Sequence, residues 1–348
     1  MGTVPTYATR EMIRRALENA ETSRDDAAID RALQFGSRAV EELCHRPHFY
    51  PTLTTLYFDW PTNNSPTSWR LWLGQHNILS VVSLVSGGTT ISASDYNLEP
   101  VNEPPYTNVQ IDLSGDADFS VGDTFQRNIE LQVWAGFNSD TEPAGALAEA
   151  LDDSETAVDV TNSASIGVGD AVKVGDEYLV VTEKNLLDTG QNLQTGVGAS
   201  TAETTIAVTT GSSYYRGEEI LIGAEKMLVI DIAGNNLIVK RQWSGSTLAA
   251  HLATADIYAP RTLTVVRGAL GTTAAAHDTA TAITRYVPPA LVTELTIAEA
   301  LNNRLQVGSG YARTVGSGDN VRNASGAGLA DLRDRVYYAH GRIRSAAV

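Results

Sequence analysis

The chain has 348 residues, 43% of them apolar and 19% charged, with 25 basic residues against 41 acidic ones and a net charge of −16. That composition supports a real hydrophobic core and excludes a high-affinity nucleic-acid binder resting on a general basic surface. Cys44 is the one cysteine, so disulfides within the chain are excluded; residues 1–30 are polar and charged, which reads as no secretory signal, and no apolar run approaches a membrane span.

The charge is uneven. Residues 1–50 hold seven Arg and eight acids, residues 286–348 hold seven Arg and five acids, and 51–285 carry the remaining 11 basic and 28 acidic residues, a net of −17. All four lysines (Lys173, Lys184, Lys226, Lys240) lie in that middle stretch, while the ends use only Arg. The planar, weakly hydrated guanidinium suits interfacial pairing better than an ammonium does, so the ends read as contact surfaces and the middle as a solvated acidic one.

In chain order, Thr9 is placed to cap a helix through about Ala20, with Ile13, Ala16 and Leu17 on one face. Ser23 is placed to cap a second helix, with Asp26 in a capping-box-like position. Ile29, Ala32, Leu33, Gly36, Val40 and Leu43 recur there at helical spacing until Pro47. Cys44 reads as a buried small hydrophobe. His45 and His48 flank Pro47 with no acid or cysteine at ligand spacing, and read as part of a structured exit loop rather than a metal pair. Segments 52–60, 68–73 and 77–85 read as strands, Gly87-Gly88 as a hairpin turn, and Val109, Ile111, Leu113 and then Ile129, Leu131, Val133 alternate. A Pro/Ala/acid linker with one helical turn follows, through residue 150.

The next segment repeats itself. Glu155–Glu183 aligns without gaps on Glu203–Asp231, sharing Glu155/Glu203, Thr156/Thr204, Val160/Val208, Gly169/Gly217, Gly175/Gly223, Glu177/Glu225 and Val181/Val229. Leu263–Ile283 aligns likewise on Leu237–Ile257, and includes "VRGALGTTAAAH" against "KRQWSGSTLAAH". The order front, front, rear, rear predicts a nested duplication: a β-unit over 203–260 inserted between the halves 155–183 and 262–286 of its twin. With no carboxylate, Cys or Ser at a fixed offset inside both short copies, Arg, Thr and His do not read as an active site. His251 and His277 read instead as metal-free residues that satisfy backbone groups of a Gly-Thr turn. "TGVGAS" and "GSGYARTVGSG" lack Gly-Lys-Ser/Thr and a strand-to-helix setting, so neither reads as a phosphate cradle.

After Pro288-Pro289, Leu291, Leu295, Ala298 and Leu305 mark a helix over about 291–306. A Gly/Ser-rich loop over 307–320 follows. A last helix over about 327–341 is expected to turn Leu329, Leu332, Val336 and Ala339 inward and Asp331, Arg333, Asp334 and Arg335 outward. The expected fold is α+β: a discontinuous helical domain (1–50 plus 287–348), a β-rich domain and linker (51–150), and the nested pair of small β-units (151–286).

"TREMIRRALENAETSRDDAAIDRALQFGSRAVEELCHRPHFYP" resembles the N-terminal helices of head-to-tail connector (adaptor, or head-completion) proteins of tailed bacteriophages, including the exit Cys44–Tyr50. "ILSVVSLVSGGTTISASDYNLEP" is similar to the hairpin segment of that family and "GLADLRDRVYYAHGRIR" to its closing helix; the twin β-units look like a decoration common in structural proteins of actinobacterial phages. The resemblance implies a non-enzymatic, cofactor-free virion protein. It implies a homo-oligomeric ring, typically a dodecamer, beneath the portal protein, which extends the channel for double-stranded DNA without reading its sequence. It further implies docking of the next tail-side connector or tail terminator protein, location at the head–tail junction, assembly in the host cytoplasm and no membrane partner. By position, Arg342, Ile343 and Arg344 are portal-contact candidates; Arg14, Arg31, Arg38, Arg333 and Arg335, on the Lys-free helices, are ring-interface candidates. A tail terminator, baseplate or decoration protein is the alternative virion role. An enzyme and a secreted adhesin are further alternatives, which the thin catalytic inventory and the helical ends disfavour.

Overall fold

The computed structural model describes residues 4–17, 26–61, 68–308, 314–315, 322–323 and 327–342, and the chain is α+β: helices in its N- and C-terminal regions enclose a β-rich middle in sequence. The helices are α1 (Arg10–Ala16), α2 (Asp26–Cys44), α3 (Ala290–Gly308) and α4 (Ala327–His340). The chain divides into two units: Met1–Val40, Thr141–Tyr286 and Ala290–Arg335 form the first, and Glu41–Asp140, Val287–Pro289 and Val336–Val348 the second. The expected separate helical domain of 1–50 plus 287–348 is therefore divided between the two, with the boundaries falling inside α2 and α4.

In the first unit the helices behave largely as their patterns dictate. Thr9 Oγ1 accepts the Met12 N–H at 3.2 Å and caps α1, which ends at Ala16, four residues short of the expected end. The expected cap Ser23 lies outside the described residues. Ala8, Ile13, Ile29, Ala32, Leu33 and Ala300 form one buried cluster, backed by Met12, Leu17, Ile297 and Leu301, so the N-terminal helices bury their stripe against α3. Ala16 and Ala339 are exposed, contrary to the expected inward faces, and Leu329 and Leu332 are only half-buried while Val336 is fully buried.

The second unit contains β1 (Thr52–Phe58), β2 (Arg70–Trp72), β3 (Ile78–Ser86), β4 (Thr89–Ile91), β5 (Tyr96–Glu99), β6 (Asn108–Ile111) and β7 (Ile129–Ala135). They pair antiparallel as two sheets, β1-β7-β3-β4 and β2-β6-β5. The alternating Ile129, Leu131 and Val133 meet Leu71, Leu84, Val109 and Ile111 in a shared core, the outcome expected of period-two patterning.

The remaining strands are β8 (Thr141–Ala146), β9 (Ala157–Asp159), β10 (Ala171–Val174), β11 (Glu177–Asn192), β12 (Thr205–Ala207), β13 (Glu219–Ile222), β14 (Glu225–Ala233), β15 (Asn236–Lys240), β16 (Asp256–Ala269) and β17 (Ala282–Tyr286). A short pair, β18 (Thr314–Val315) and β19 (Arg322–Asn323), interrupts the expected loop. Following the pairing gives two rings. In the first, β8 pairs β17, β17 pairs β10, β10 pairs β11, β11 pairs the later part of β16, and β16 pairs β9. A bridge from Leu147 to Val160 then closes β9 onto the end of β8. In the second, the last part of β11 pairs the first part of β16, which pairs β13, followed by β14, β15 and β12. Leu193 bridging Val208 closes it in the same way. Each ring is a small six-stranded barrel with its own apolar core. The front segment 155–183 and the rear segment 262–286 thus share one barrel, with 203–260 in the other. The segment 141–146 is the strand β8 rather than a linker with a helical turn: Ala282 to Tyr286 supply a partner that nothing local announces.

Gly36 is the contact point of α2 with α3. A Cβ there would stand 2.6 Å from the Thr296 carbonyl oxygen and 3.2 Å from the Ala300 nitrogen. Gly36→Ala gains roughly 1 kcal/mol of helix propensity but forces backbone apart, an overpacking cost of about 1–3 kcal/mol. The expected outcome is a net loss of stability, read as a lower urea midpoint at unchanged slope.

Candidate functional site

The twin barrels hold twin buried carboxylates. Glu225, at the start of β14, is 0% exposed; Arg241 donates to it through Nε at 2.8 Å and Nη2 at 2.7 Å. The Gln242 and Ala249 N–H groups donate at 3.1 Å each, and His251 Nε2 lies 2.9 Å from Oε2. Glu177, at the start of β11, repeats every element: Arg267 at 2.8 and 2.9 Å, the Gly268 N–H at 2.8 Å, the Ala275 N–H at 3.2 Å and His277 Nε2 at 2.9 Å. Facing a carboxylate, each imidazole must carry a proton on Nε2. The arginines reach further: Arg267 Nη1 donates to the Asp152 and Glu155 carbonyls, and Arg241 Nη1 to those of Gly198 and Glu203. The Gly175 and Gly223 turns before these glutamates have φ of +57° and +59°, which favours glycine, and the histidine rings pack against them. The expectation that His251 and His277 satisfy turn backbone is corrected: they bind a carboxylate, which in turn holds the backbone. The signal was present, because Glu177 and Glu225 are equivalent anchors of the front halves, while the equivalent histidines stand in the rear halves.

These centres are saturated. Burial by itself raises a carboxyl pKa; here the Arg, His and N–H donors outweigh it and hold Glu177 and Glu225 down to about 2. Neither carboxylate retains a free lone pair aimed at a cavity, so both centres read as locks of the barrels. Among the described residues, no group of three or more His, Cys, Asp or Glu is arranged to hold a metal ion. In the exit loop, His48 Nδ1 lies 2.8 Å from the Tyr50 carbonyl oxygen and its ring stacks on Tyr50. Cys44 is buried, and burial raises its thiol to about 11 despite the nearby Arg46.

The ring-interface candidates do not act as one set. Arg14 is bound to Asp26, and Arg333 pairs with the buried Glu299 at 2.6 and 2.8 Å. Arg38 donates to the Pro5 carbonyl and Arg31 to that of Ala27 one turn back, and both are exposed, as is Arg335. Sequence reasoning passed over Arg10, which is 5% exposed and held by Asp30 at 2.9 and 2.6 Å and by Glu183 at 2.8 and 3.1 Å. That pairing ties α1 to α2 and to β11, and is structural.

The second unit contains the opposite case. Its five arginines are Arg46, Arg70, Arg127, Arg342 and Arg344, and it has no lysine. Arg46, Arg70 and Arg342 line one open groove of about 640 Å³, together with Trp72, Asn77, Asn108, Gln110 and Glu99. Arg46 donates to the His340 carbonyl at 2.6 Å and to Asn77 Oδ1 at 2.9 Å, and lies 4.6 Å from the Phe137 ring centre. Arg70 lies over Trp69 and Trp72 at 4.9 and 5.5 Å, and turning the Gln110 amide, which otherwise faces donor to donor, puts its oxygen 3.0 and 3.1 Å from Arg70 Nη2 and Nε. Arg342 donates its main-chain N–H to Cys44 O at 3.0 Å and Nη2 to Gly74 O at 2.8 Å, while its buried Nη1 has no partner. Burial, with the Arg342 charge beside it, lowers Arg46 to about 10. Among the described residues, no carboxylate stands within ion-pair distance of any of the three. Of the portal-contact candidates only Arg342 is described; Ile343 and Arg344 lie outside the described residues.

No family model, curated protein or solved structure matches this chain. The sites are therefore read from their own chemistry. The barrels hold closed ionic centres, and the groove holds an open one.

Acid tests the closed centres. Because both glutamates titrate lower in the folded chain than in the unfolded one, their stabilisation is complete above about pH 4.5 and is lost as pH falls towards 2. Each is worth on the order of 3 kcal/mol. In Glu177→Gln and Glu225→Gln variants, the slope of unfolding free energy against pH below 4.5 is expected to flatten, with stability at pH 7 reduced by about 3–5 kcal/mol for the broken buried pair. Urea titrations across that pH range check it.

Proposed function

We propose that this chain is a non-enzymatic structural protein of a tailed-phage virion: a head-to-tail adaptor that forms a ring, of twelve copies, beneath the portal and presents a docking surface to the next tail component. The observation that carries the reading is the junction of two of the segments that resemble that family. The exit 44–50 and the end of α4 are built into one knot. Arg46 bonds the His340 carbonyl, the Arg342 N–H bonds Cys44 O, and Phe49, Phe137 and His340 meet ring edge to face. Such a knot fixes where the final segment leaves the unit. On this reading Arg342, and Ile343 and Arg344 after it, meet the portal.

The charge distribution agrees with this role. Exposed Arg31 and Arg335 on the helices are placed to meet carboxylates of a neighbouring subunit, and a heterologous contact whose rotation closes makes a ring. The acidic barrels repel one another and belong where solvent screens them. They also discourage sticking to double-stranded DNA in transit. The chain works, on this reading, at the head–tail junction after assembly in the host cytoplasm.

Electron cryomicroscopy of purified virions tests the proposal: density for the twin barrels is expected at the head–tail junction, and their absence there refutes it. Removing residues 343–348 is expected to leave a folded protein that no longer joins DNA-filled heads. Normal yields of infectious particles with that truncation would refute docking through the C-terminal segment.

A further inference from the structure

The open groove of the second unit has an ionic problem that none of the described residues solves. Among the described residues, three guanidiniums line the groove with no carboxylate at ion-pair distance: Glu99 shares the lining but pairs with none of them, in a protein holding 41 acids. Like charges in a partly buried site raise each other's cost. The buried Arg342 Nη1, without a hydrogen bond, adds an unsatisfied donor. Every other buried arginine described in detail above carries its own acid: Arg10 with Asp30, Arg241 with Glu225 and Arg267 with Glu177.

The lining identifies the counter-ion. Guanidinium forks match carboxylates bidentately. Asn77, Asn108 and Gln110 bring side-chain amides to the same groove, and these are complementary to main-chain peptide groups. Trp72, 60% exposed, offers an apolar face for a side chain between the charges. A volume of about 640 Å³ holds a few residues of extended chain. Nucleic acid fits less well: one charge per roughly 1.7 Å of duplex carries the polymer far beyond three arginines and into the field of a chain with net charge −16. A segment with two or three carboxylates spends its charge inside the groove.

We infer that the groove lined by Arg46, Arg70 and Arg342 is a binding site for an extended acidic peptide segment of a partner protein, whose carboxylates supply the missing ion pairs and whose backbone meets Asn77, Asn108 and Gln110. The inference stands on the groove alone and holds whether or not the adaptor reading does. An acidic peptide is repelled by the chain as a whole, so its binding reports a local site rather than general charge attraction.

Fluorescence anisotropy with the full-length protein tests it. The probes are a labelled octapeptide of alternating Glu and Ala, the same peptide with Gln for Glu, and an octathymidylate. The Glu peptide is expected to bind at least tenfold more tightly than the Gln peptide, with affinity falling as salt rises. Arg70→Gln and Arg342→Gln are each expected to weaken it about tenfold, whereas Arg127→Gln, outside the groove lining, leaves it unchanged. Thermal melts of the variants separate loss of binding from loss of fold, and the conservative Arg70→Lys should retain part of the affinity if charge is what matters. Equal binding of the Glu and Gln peptides, equal effects of Arg70→Gln and Arg127→Gln, tighter binding of octathymidylate, or no Glu-peptide binding up to millimolar concentration each overturns the assignment.

Discussion

Two strands carry the first unit. β11 and β16 run antiparallel from Tyr178 opposite Ala269 to Asn192 opposite Asp256, and so pass out of one barrel and into the other without leaving the ladder. A duplicated unit placed inside its twin would ordinarily leave cut strands with exposed edges, a standing risk of mispairing. Here the cut ends are continued rather than capped. The later part of β16 belongs to the older barrel and its first part to the inserted one, and β11 is shared in the reverse order. Register shifts at Asn185/Leu187 and Asp188/Gln191 fall in the passage from one ring to the next. They supply the added twist that lets a single ribbon serve two closed barrels. At the passage, the buried Glu218 receives Arg261 at 2.8 and 2.9 Å and Ser163 at 3.0 Å, so a loop of one barrel is bonded to a strand of the other.

Within each barrel the same carboxylate does the long-range joining. Glu177 and Glu225 sit at the ends of hairpin turns and gather an arginine near the end of another strand, two N–H groups of the following turn and a histidine at its close. A buried ion pair alone is weak evidence for stability, because desolvation opposes it. The gain here is in specificity: a carboxylate with all its acceptor positions filled admits one arrangement of the turn, and the ungapped recurrence of Arg, Gly and Ala-Ala-His preserves that arrangement in both copies.

This explains what the sequence made legible. The repeats were visible because the turn around each carboxylate tolerates no change in length, so Lys240–His251 and Val266–His277 stay in register. The carboxylate itself was missed because it stands 90 residues from Arg267 in one copy and 16 from Arg241 in the other, so no common offset exists. β8 was missed for a related reason. The bridge Leu151–His277 has its counterpart in Val197–His251, an offset of 46 residues, whereas Glu155 and Glu203 differ by 48. A two-residue insertion in the second copy therefore ended the gapless match just before the strand that closes each barrel. The helix faces were easier: Thr9, Ile13, Ile29 and Leu33 declare themselves within a turn or two, although the exposed Ala16 and Ala339 show that alanine marks a face weakly. The arginine groove was illegible in principle, since residues 46, 70 and 342 share no spacing and only the tertiary fold brings them together.

Saturation divides the molecule by purpose. At Glu177 and Glu225 and around Arg10, buried charge is matched donor for acceptor, so those groups are fully occupied in holding the chain. In the second unit, three arginines gather with aromatic rings and amides, and among the described residues no acid pairs with them, although Glu99 lines the same groove and Glu41, Glu42, Asp59, Asp95, Glu103 and Glu130 belong to the same unit. Acids were not scarce; they were kept away from ion-pair distance. A fold that neutralises its other deep arginines and leaves these three unpaired bears an electrostatic cost that internal packing does not recover. On the inference drawn above, a partner's carboxylates supply the compensating interaction, so the groove, rather than the more conspicuous repeated barrels, is the proposed contact.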